Sequence, residues 1–121
     1  MTDFLYKLAS AIATEEGFFV AGSLPQRMNN PGDIRSAPWL QHPALVHGFW
    51  MADSIQQGIA GLYHQLALDV ARGWTLTQLI YTYAPPADHN RTAEYLANVA
   101  RMVAIDPKVT MWTYLEIQKL G

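Results

Sequence analysis

Residues 11–35, AIATEEGFFVAGSLPQRMNNPGDIR, change abruptly from an apolar helical pattern to a segment rich in glycine, asparagine and proline. Upstream of this change, apolar residues recur at the spacing of an amphipathic helix. The pattern stops at the adjacent acids Glu15 and Glu16, and Gly17 follows as a helix-ending signal. We therefore predict a first helix over about residues 3–16, with carboxyl groups where the helix gives way to an irregular loop.

A carboxyl group at such a place is a candidate general acid. When apolar neighbours half cover it, its charged form loses hydration and its pKa rises toward neutrality. Such a group can protonate a glycosidic oxygen. The alternative is that Glu15 and Glu16 are solvated charges in the last helical turn, as most acids are. Both acids, however, lie at the negative end of the helix macrodipole, where a negative charge is unfavourable. Another interaction or role must therefore compensate for their position.

Length and composition exclude several classes of protein. A chain of 121 residues is predicted to form a single domain, residues 1–121, that is large enough to bury a core. The formal net charge of −2 and the scattered basic residues argue against nucleic acid as a partner. Without cysteine there is no disulfide framework and no thiol nucleophile. We expect no signal peptide and no stable membrane insertion, since no run approaches the roughly 18 apolar residues of a membrane span.

Apolar periodicity and capping signals predict a mainly α fold. Each predicted helix has an apolar face, and most have a recognisable start or stop. The second predicted helix runs from Ser54 to Gly73, and Gln57 completes its capping box. A short third helix runs from Thr75 to about Tyr83 and is ended by Pro85 and Pro86. A fourth helix is capped by Asn90 or Thr92, and a last one covers residues 110–120.

Residues 17–52 are too long for an idle connection in a compact domain, so they are predicted to form a functional loop or a small sheet. Within residues 34–51 a short β-hairpin can form if Ile34–Ser36 pairs with Val46–Met51.

The loop residues NNPGD have two interpretations. Asn29, Asn30, Pro31 and Gly32 are typical of a tight turn that needs no ligand. Asparagine amides also offer a donor and an acceptor together, which suits a ligand rich in hydroxyl groups. Asp33 is a candidate second carboxylate, although loop aspartates more often stabilise turns.

Other catalytic and ligand-binding patterns are absent from the sequence. The four histidines have no HExxH or comparable spacing, so we expect no metal site. There is also no GxSxG elbow and no phosphate-binding glycine loop, and no cofactor is expected.

Four segments carry a family resemblance: AIATEEGF, PQRMNNPGDIR, QQGIAGLYHQL and WTLTQLIYTYAPPADHNRTAEYLANV. In this order they resemble the small lysozyme-like lytic transglycosylase domains of bacteria and their phages, from about Ala11 to Val103. The resemblance implies a compact helical domain with a groove between the catalytic helix and a loop region. It also implies peptidoglycan glycan strands as the substrate, and no cofactor.

The resemblance assigns roles to individual residues. The family's glutamate that precedes glycine matches Glu16, which also lies at the edge of the apolar face of the helix, where a groove would open, whereas Glu15 lies near the middle. Asp33 stands where similar domains often carry asparagine. The implied substrate-binding residues are Asn29, Asn30, Asp33, Tyr83 and Asn90.

The implied reaction needs one carboxyl group. Glu16 would protonate the oxygen that links N-acetylmuramic acid to N-acetylglucosamine, and would then deprotonate the muramic acid's own hydroxyl to close an anhydro ring. If Asp33 instead activates a water, the enzyme is an inverting muramidase with carboxyl groups about 6.5–9.5 Å apart. A third option is a non-catalytic virion structural or glycan-binding protein.

The expected place of action is the bacterial cell wall or periplasm. Since no signal peptide is expected, delivery as a virion component or through a secretion system is favoured, alongside other virion or secretion-apparatus proteins.

Overall fold

The computed structural model describes residues 3–120, and the side chains of residues 3–117. The fold is mainly α with one small hairpin, as the sequence predicts. Within the described residues no helix is both long enough and apolar enough to cross a membrane. In chain order the elements are α1 (Asp3–Glu15), α2 (Leu24–Arg27), β1 (Leu45–Val46), β2 (Phe49–Trp50), α3 (Ile55–Ala71), α4 (Leu76–Tyr83), a 3-10 turn (Pro86–Asp88), α5 (Thr92–Val103) and α6 (Met111–Leu120).

The core forms around α1, which contacts α3, α5 and α6. Its apolar face is buried because Leu8 and Ile12, one helical turn apart, are fully enclosed. The other helices each add buried apolar side chains to the same cluster, among them Leu66 of α3, Ile80 of α4 and Val99 of α5. The end of α1 is therefore held firmly, and with it the start of the following loop.

A glycine motif ends α1 and fixes the position of Glu16. The N–H of Gly17 donates to the carbonyl of Thr14 at 3.1 Å, and the N–H of Phe18 donates to the carbonyl of Ala13 at 3.0 Å. This pair of bonds defines a Schellman C-cap. Gly17 has φ 81°, a left-handed conformation that costs a residue with a Cβ about 1 kcal/mol or more. Glu16 is the cap residue, at the point where the chain leaves the helix.

The predicted hairpin exists, but its strands differ from those expected. β1 pairs with β2 through the two-residue turn His47-Gly48. Both turn residues have positive φ, 52° and 83°, as a tight hairpin turn that matches strand twist requires. Ile34–Ser36, predicted as one of the strands, contributes a single bridge in which Arg35 lies opposite Phe49. The tight turn at His47-Gly48 therefore determines which strands pair, and residues 34–36 add only the bridge to Phe49.

The predicted N-caps of α3 and α4 are confirmed, but the predicted capping box forms only at α4. Ser54 and Thr75 each accept a hydrogen bond at 3.1 Å from the N–H three residues on. At α4 the capping box is reciprocal, because the side chain of Gln78 accepts from the N–H of Thr75 at 2.9 Å. At α3 the side chain of Gln57 accepts instead from the N–H of Asp53, at 2.7 Å.

The predicted cap of α5 is wrong. Arg91 occupies the N-cap position and makes no side-chain capping bond. The Thr92 hydroxyl donates to the carbonyl of Ala84 at 2.6 Å, and the Asn90 amide donates to the carbonyl of Pro85 at 3.1 Å. These side chains fasten the bend after α4 to the start of α5, so they stabilise the connection rather than the helix end.

Candidate active site

Glu16 is half-buried and interacts with two side chains that are distant in sequence, Asp33 from the loop and Tyr95 from α5. Burial raises the pKa of Glu16 from 4.5 to about 7. The nearby hydroxyl of Tyr95 opposes this rise, and the charge of Asp33 adds to it. A carboxyl group with a pKa near 7 carries a proton about half of the time at neutral pH, which is what a general acid needs.

Asp33 is a second carboxyl group close to Glu16. Burial raises the pKa of Asp33, and the nearby Arg35 charge opposes that rise. The hydrogen bond between the two carboxyl groups raises the pKa of Glu16 and lowers that of Asp33. A hydrogen bond has this asymmetric effect when one group donates and the other accepts in its charged form. Both effects favour the proton on Glu16 and the negative charge on Asp33.

Two oxygens beside Glu16 are buried without a fully formed hydrogen bond among the described residues, Oδ1 of Asp33 and the hydroxyl of Tyr95. The Tyr95 hydroxyl is close enough to Glu16 to lower its pKa, but the contact falls short of complete hydrogen-bond geometry. Buried polar atoms without partners are rare in folded proteins. Their grouping around one carboxyl group is typical of a functional site rather than of a structural polar cluster.

The raised pKa of Glu16 predicts a pH-dependent stability. Because the pKa lies near 7 in the folded protein and near 4.5 in the unfolded chain, the folded state binds more protons between these values. Stability therefore falls as the pH rises through this window, by at most about 3 kcal/mol, less the effect of partial exposure. We expect Glu16→Gln to raise the melting temperature at pH 8 and to change it little at pH 4, as measured by calorimetry. A difference that is constant across pH would contradict this.

Tyr83 connects the loop to α4 beside the two carboxyl groups. Its buried hydroxyl donates to the carbonyl of Gly32. Burial raises the pKa of Tyr83 well above its ordinary value, and the charges of Glu16 and Asp33 raise it further, so the hydroxyl keeps its proton. A Cβ at Gly32 would lie 2.5 Å from the Tyr83 hydroxyl oxygen and 2.6 Å from Leu62. Only glycine allows this close approach, which brings Asp33 next to Glu16.

Asn30 was predicted to bind substrate, but it is fully buried. Its Nδ2 donates to the carbonyls of Ile34 and Trp50, each at 2.9 Å, and its Oδ1 accepts from the N–H of Ile34 at 2.9 Å. The amide thus links the turn to β2 and shapes the loop that carries Asp33. The structure gives Asn30 a supporting role, out of reach of a ligand.

The other two predicted asparagines also bond to backbone. Asn29 is half-buried with φ 54°, and its Nδ2 donates to the carbonyl of Ala52 at 3.3 Å. Asn90 is exposed and is held to the bend after α4. The contacts described for Glu16 include neither residue. Of the predicted set, the structure brings together Glu16, Asp33 and Tyr83.

A cavity of about 320 Å³ opens beside Asp33 and Tyr83, and sequence reasoning missed most of its wall. The sequence did contain a sign of one wall residue. Asp69 lies at helical spacing from Leu66 and Val70, so its carboxylate falls on the buried face of α3. Tyr95 also lies on the apolar face of its helix, where it resembles a core residue. The polar side chains that line the cavity are Asp33, Arg35, Ser36, Gln65, Asp69, Arg72, Thr82 and Tyr83, and Trp74 adds an aromatic ring.

Among the described residues no group of three or more histidine, cysteine, aspartate or glutamate side chains is placed to hold a metal ion. Comparison of the chain with protein-family models gives no match. Searches of curated proteins and of solved structures also give no match. The feature of the protein that bears on its function is the site formed by Glu16, Asp33, Tyr83 and Tyr95.

Proposed function

We propose that the protein is a peptidoglycan lytic transglycosylase that cleaves the bond between N-acetylmuramic acid and N-acetylglucosamine. The observation that carries the proposal is the pKa of Glu16, which burial raises to about 7. A single carboxyl group that is half protonated near neutral pH can both give and take a proton in one catalytic cycle. The helical fold and the order of the sequence motifs are consistent with this family.

In the first step, protonated Glu16 donates to the glycosidic oxygen as the bond to the muramic acid C1 breaks. The sugar then carries oxocarbenium-like positive charge, and the negative charge of Asp33 lies beside Glu16 to stabilise it. The carboxylate of Glu16 next takes the proton of the muramic acid's primary hydroxyl, whose oxygen attacks C1. An anhydro ring closes, no water is consumed, and Glu16 regains its proton.

The contact between Glu16 and Asp33 supports this one-acid mechanism over an inverting hydrolase. Inverting glycosidases hold their carboxyl groups about 6.5–9.5 Å apart, which leaves room for the attacking water. Asp33 is close enough to Glu16 to raise the pKa of Glu16 through its charge and its side chain. This closeness favours a role for Asp33 in tuning the pKa of Glu16 and in stabilising charge over a role in activating a water.

The substrate groove of this proposal includes the cavity beside Asp33 and Tyr83, which lies between the loop, α3 and α4. The enzyme would act on glycan strands at the bacterial wall, as a virion component or after delivery by a secretion system. The glycan substrate of this setting follows from the sequence resemblance.

The activity is tested with purified peptidoglycan. We expect the protein to lower the turbidity of a peptidoglycan suspension and to release soluble fragments. If the protein instead sediments with peptidoglycan that stays intact, the enzyme proposal fails, and a glycan-binding or virion structural role replaces it.

A further inference from the structure

A second cavity, of about 240 Å³, lies where α1, α3 and the loop after α1 meet. We call it the α1–α3 cavity. Ala9 and Ala13, one turn apart on α1, are buried at its base, and their small side chains leave space beside Ile59 and Leu62 of α3. None of the described residues that line this cavity carries a charge. It therefore suits an apolar group better than a charged one.

Large apolar side chains are exposed around the α1–α3 cavity. Phe19 is 64% exposed, Tyr6 is 63% exposed and Ile59 is 40% exposed, and all three line it. Val20 follows Phe19 and is 63% exposed, and Ile55, one turn before Ile59, is 40% exposed. If each large apolar side chain has about 200 Å² of surface, the five together expose roughly 500 Å². Contiguous apolar patches of this size commonly mark interaction sites.

The patch contains both a protruding side chain and a space that can receive one. Phe19 stands at the rim, and the α1–α3 cavity opens beside it. A phenyl ring fits this volume, since a cavity of about 150 Å³ already holds benzene. When the protrusion and the cavity belong to the same patch, two copies related by a two-fold axis can each insert into the other, and the contact closes as a dimer.

The absence of charge also suits a two-fold contact. Residues near a two-fold axis lie close to their own equivalents in the partner copy, so a charged side chain there would meet a like charge. The described lining of the α1–α3 cavity has no such side chain. An anionic lipid surface fits less well, because it is recognised by lysine and arginine beside the apolar residues, and none of the described lining residues is basic.

We propose that this patch is the contact between two copies of the chain, with Phe19 of each copy in the α1–α3 cavity of the other. The five exposed side chains alone would bury about 1,000 Å² in the pair, the size at which specific interfaces begin, and the surrounding rim adds to it. No described residue lines both this cavity and the one beside Asp33 and Tyr83. The dimer therefore leaves the candidate active site open and does not depend on the proposed activity.

The test is sedimentation velocity of the full chain from about 1 μM to about 1 mM, the range of dissociation constants of weak pairs. We expect the mass to rise with concentration to twice that of one chain. Phe19→Asp should raise the dissociation constant by about 30-fold or more, as the loss of a central aromatic contact does. The matched control is Tyr81→Asp, since Tyr81 is an exposed aromatic residue of α4 that does not line the cavity. Circular dichroism checks that each variant is folded.

Ser10→Trp separates insertion from general apolar association. Ser10 is exposed and lines the α1–α3 cavity, so an indole there would fill the space without adding charge. Insertion of Phe19 predicts weaker pairing by Ser10→Trp, whereas general association of apolar surfaces predicts pairing that is equal or tighter.

Three results would overturn the proposal. The first is a wild-type chain that stays monomeric throughout the concentration range, including one that instead floats with vesicles of phosphatidylcholine and phosphatidylglycerol, which would make a lipid surface the partner. The second is equal pairing by Phe19→Asp and the wild type, or equal losses in Phe19→Asp and Tyr81→Asp. The third is pairing by Ser10→Trp that is as tight as that of the wild type or tighter.

Discussion

Replacing Glu16 by glutamine should lower the rate of glycan cleavage by about 1,000-fold, within the range by which general acids accelerate reactions. Glutamine has nearly the shape of glutamic acid, but its amide cannot protonate the leaving oxygen. The wild-type rate should also fall as the pH rises through about 7, because Glu16 then loses the proton it must donate. Release of soluble fragments from purified peptidoglycan measures both effects.

Glu15→Gln is the matched control for this experiment. Glu15 is the neighbouring glutamate and is also half-buried, but its Oε1 accepts from the Asn98 amide of α5 at 2.9 Å. Its side chain therefore helps to hold α1 against α5, and Glu15→Gln should retain most of the activity. Equal losses in Glu15→Gln and Glu16→Gln, or an active Glu16→Gln, would remove Glu16 from the proposed mechanism.

Asn30→Ala should destabilise the fold by about 3 kcal/mol or more. The Asn30 amide satisfies three backbone groups, the N–H and carbonyl of Ile34 and the carbonyl of Trp50, in a fully buried position. Alanine leaves the N–H of Ile34 and the carbonyl of Trp50 without this partner, while the carbonyl of Ile34 keeps the bond from the N–H of Trp50 at 2.9 Å. Each buried group without its hydrogen bond costs about 1–3 kcal/mol. Urea denaturation followed by circular dichroism measures the free energy of unfolding.

The comparison for Asn30 is Asn90→Ala, which removes one exposed hydrogen bond, to Pro85. That change should cost less than about 1 kcal/mol, because water replaces the lost partner. If the two variants are equally stable, the Asn30 amide does not hold the loop as described. Asn30→Ala should also reduce cleavage, since the same loop carries Asp33.

The helical part of the fold was predictable because its signals are local. Periodic apolar residues mark α1 and α3, and the capping side chains of Ser54 and Thr75 bond within three residues. The hairpin was only partly predictable. Its strands depend on positive φ at His47 and Gly48, and composition pointed to Ile34–Ser36 instead.

The candidate site was less predictable, because a side chain's role depends on contacts distant in sequence. Glu16 was identified by its place at a helix end. Asn30 and Tyr95 show the difficulty. The loop amide of Asn30 suggested ligand binding but is buried in the loop, and Tyr95 has the spacing of a core residue on its helix but approaches Glu16. Asp69 differs from these two, since its partners Gln65 and Arg72 lie within four residues of it, and only its burial depends on how α3 packs.

The most direct test of the central claim is mass spectrometry of purified peptidoglycan digested by the wild-type protein and by Glu16→Gln. The mechanism predicts fragments that end in anhydro-muramic acid from the wild type, and none from Glu16→Gln. Fragments with reducing muramic acid ends, lost on Asp33→Asn, would mean that water is the nucleophile and would contradict the account of Glu16 as sole acid and base.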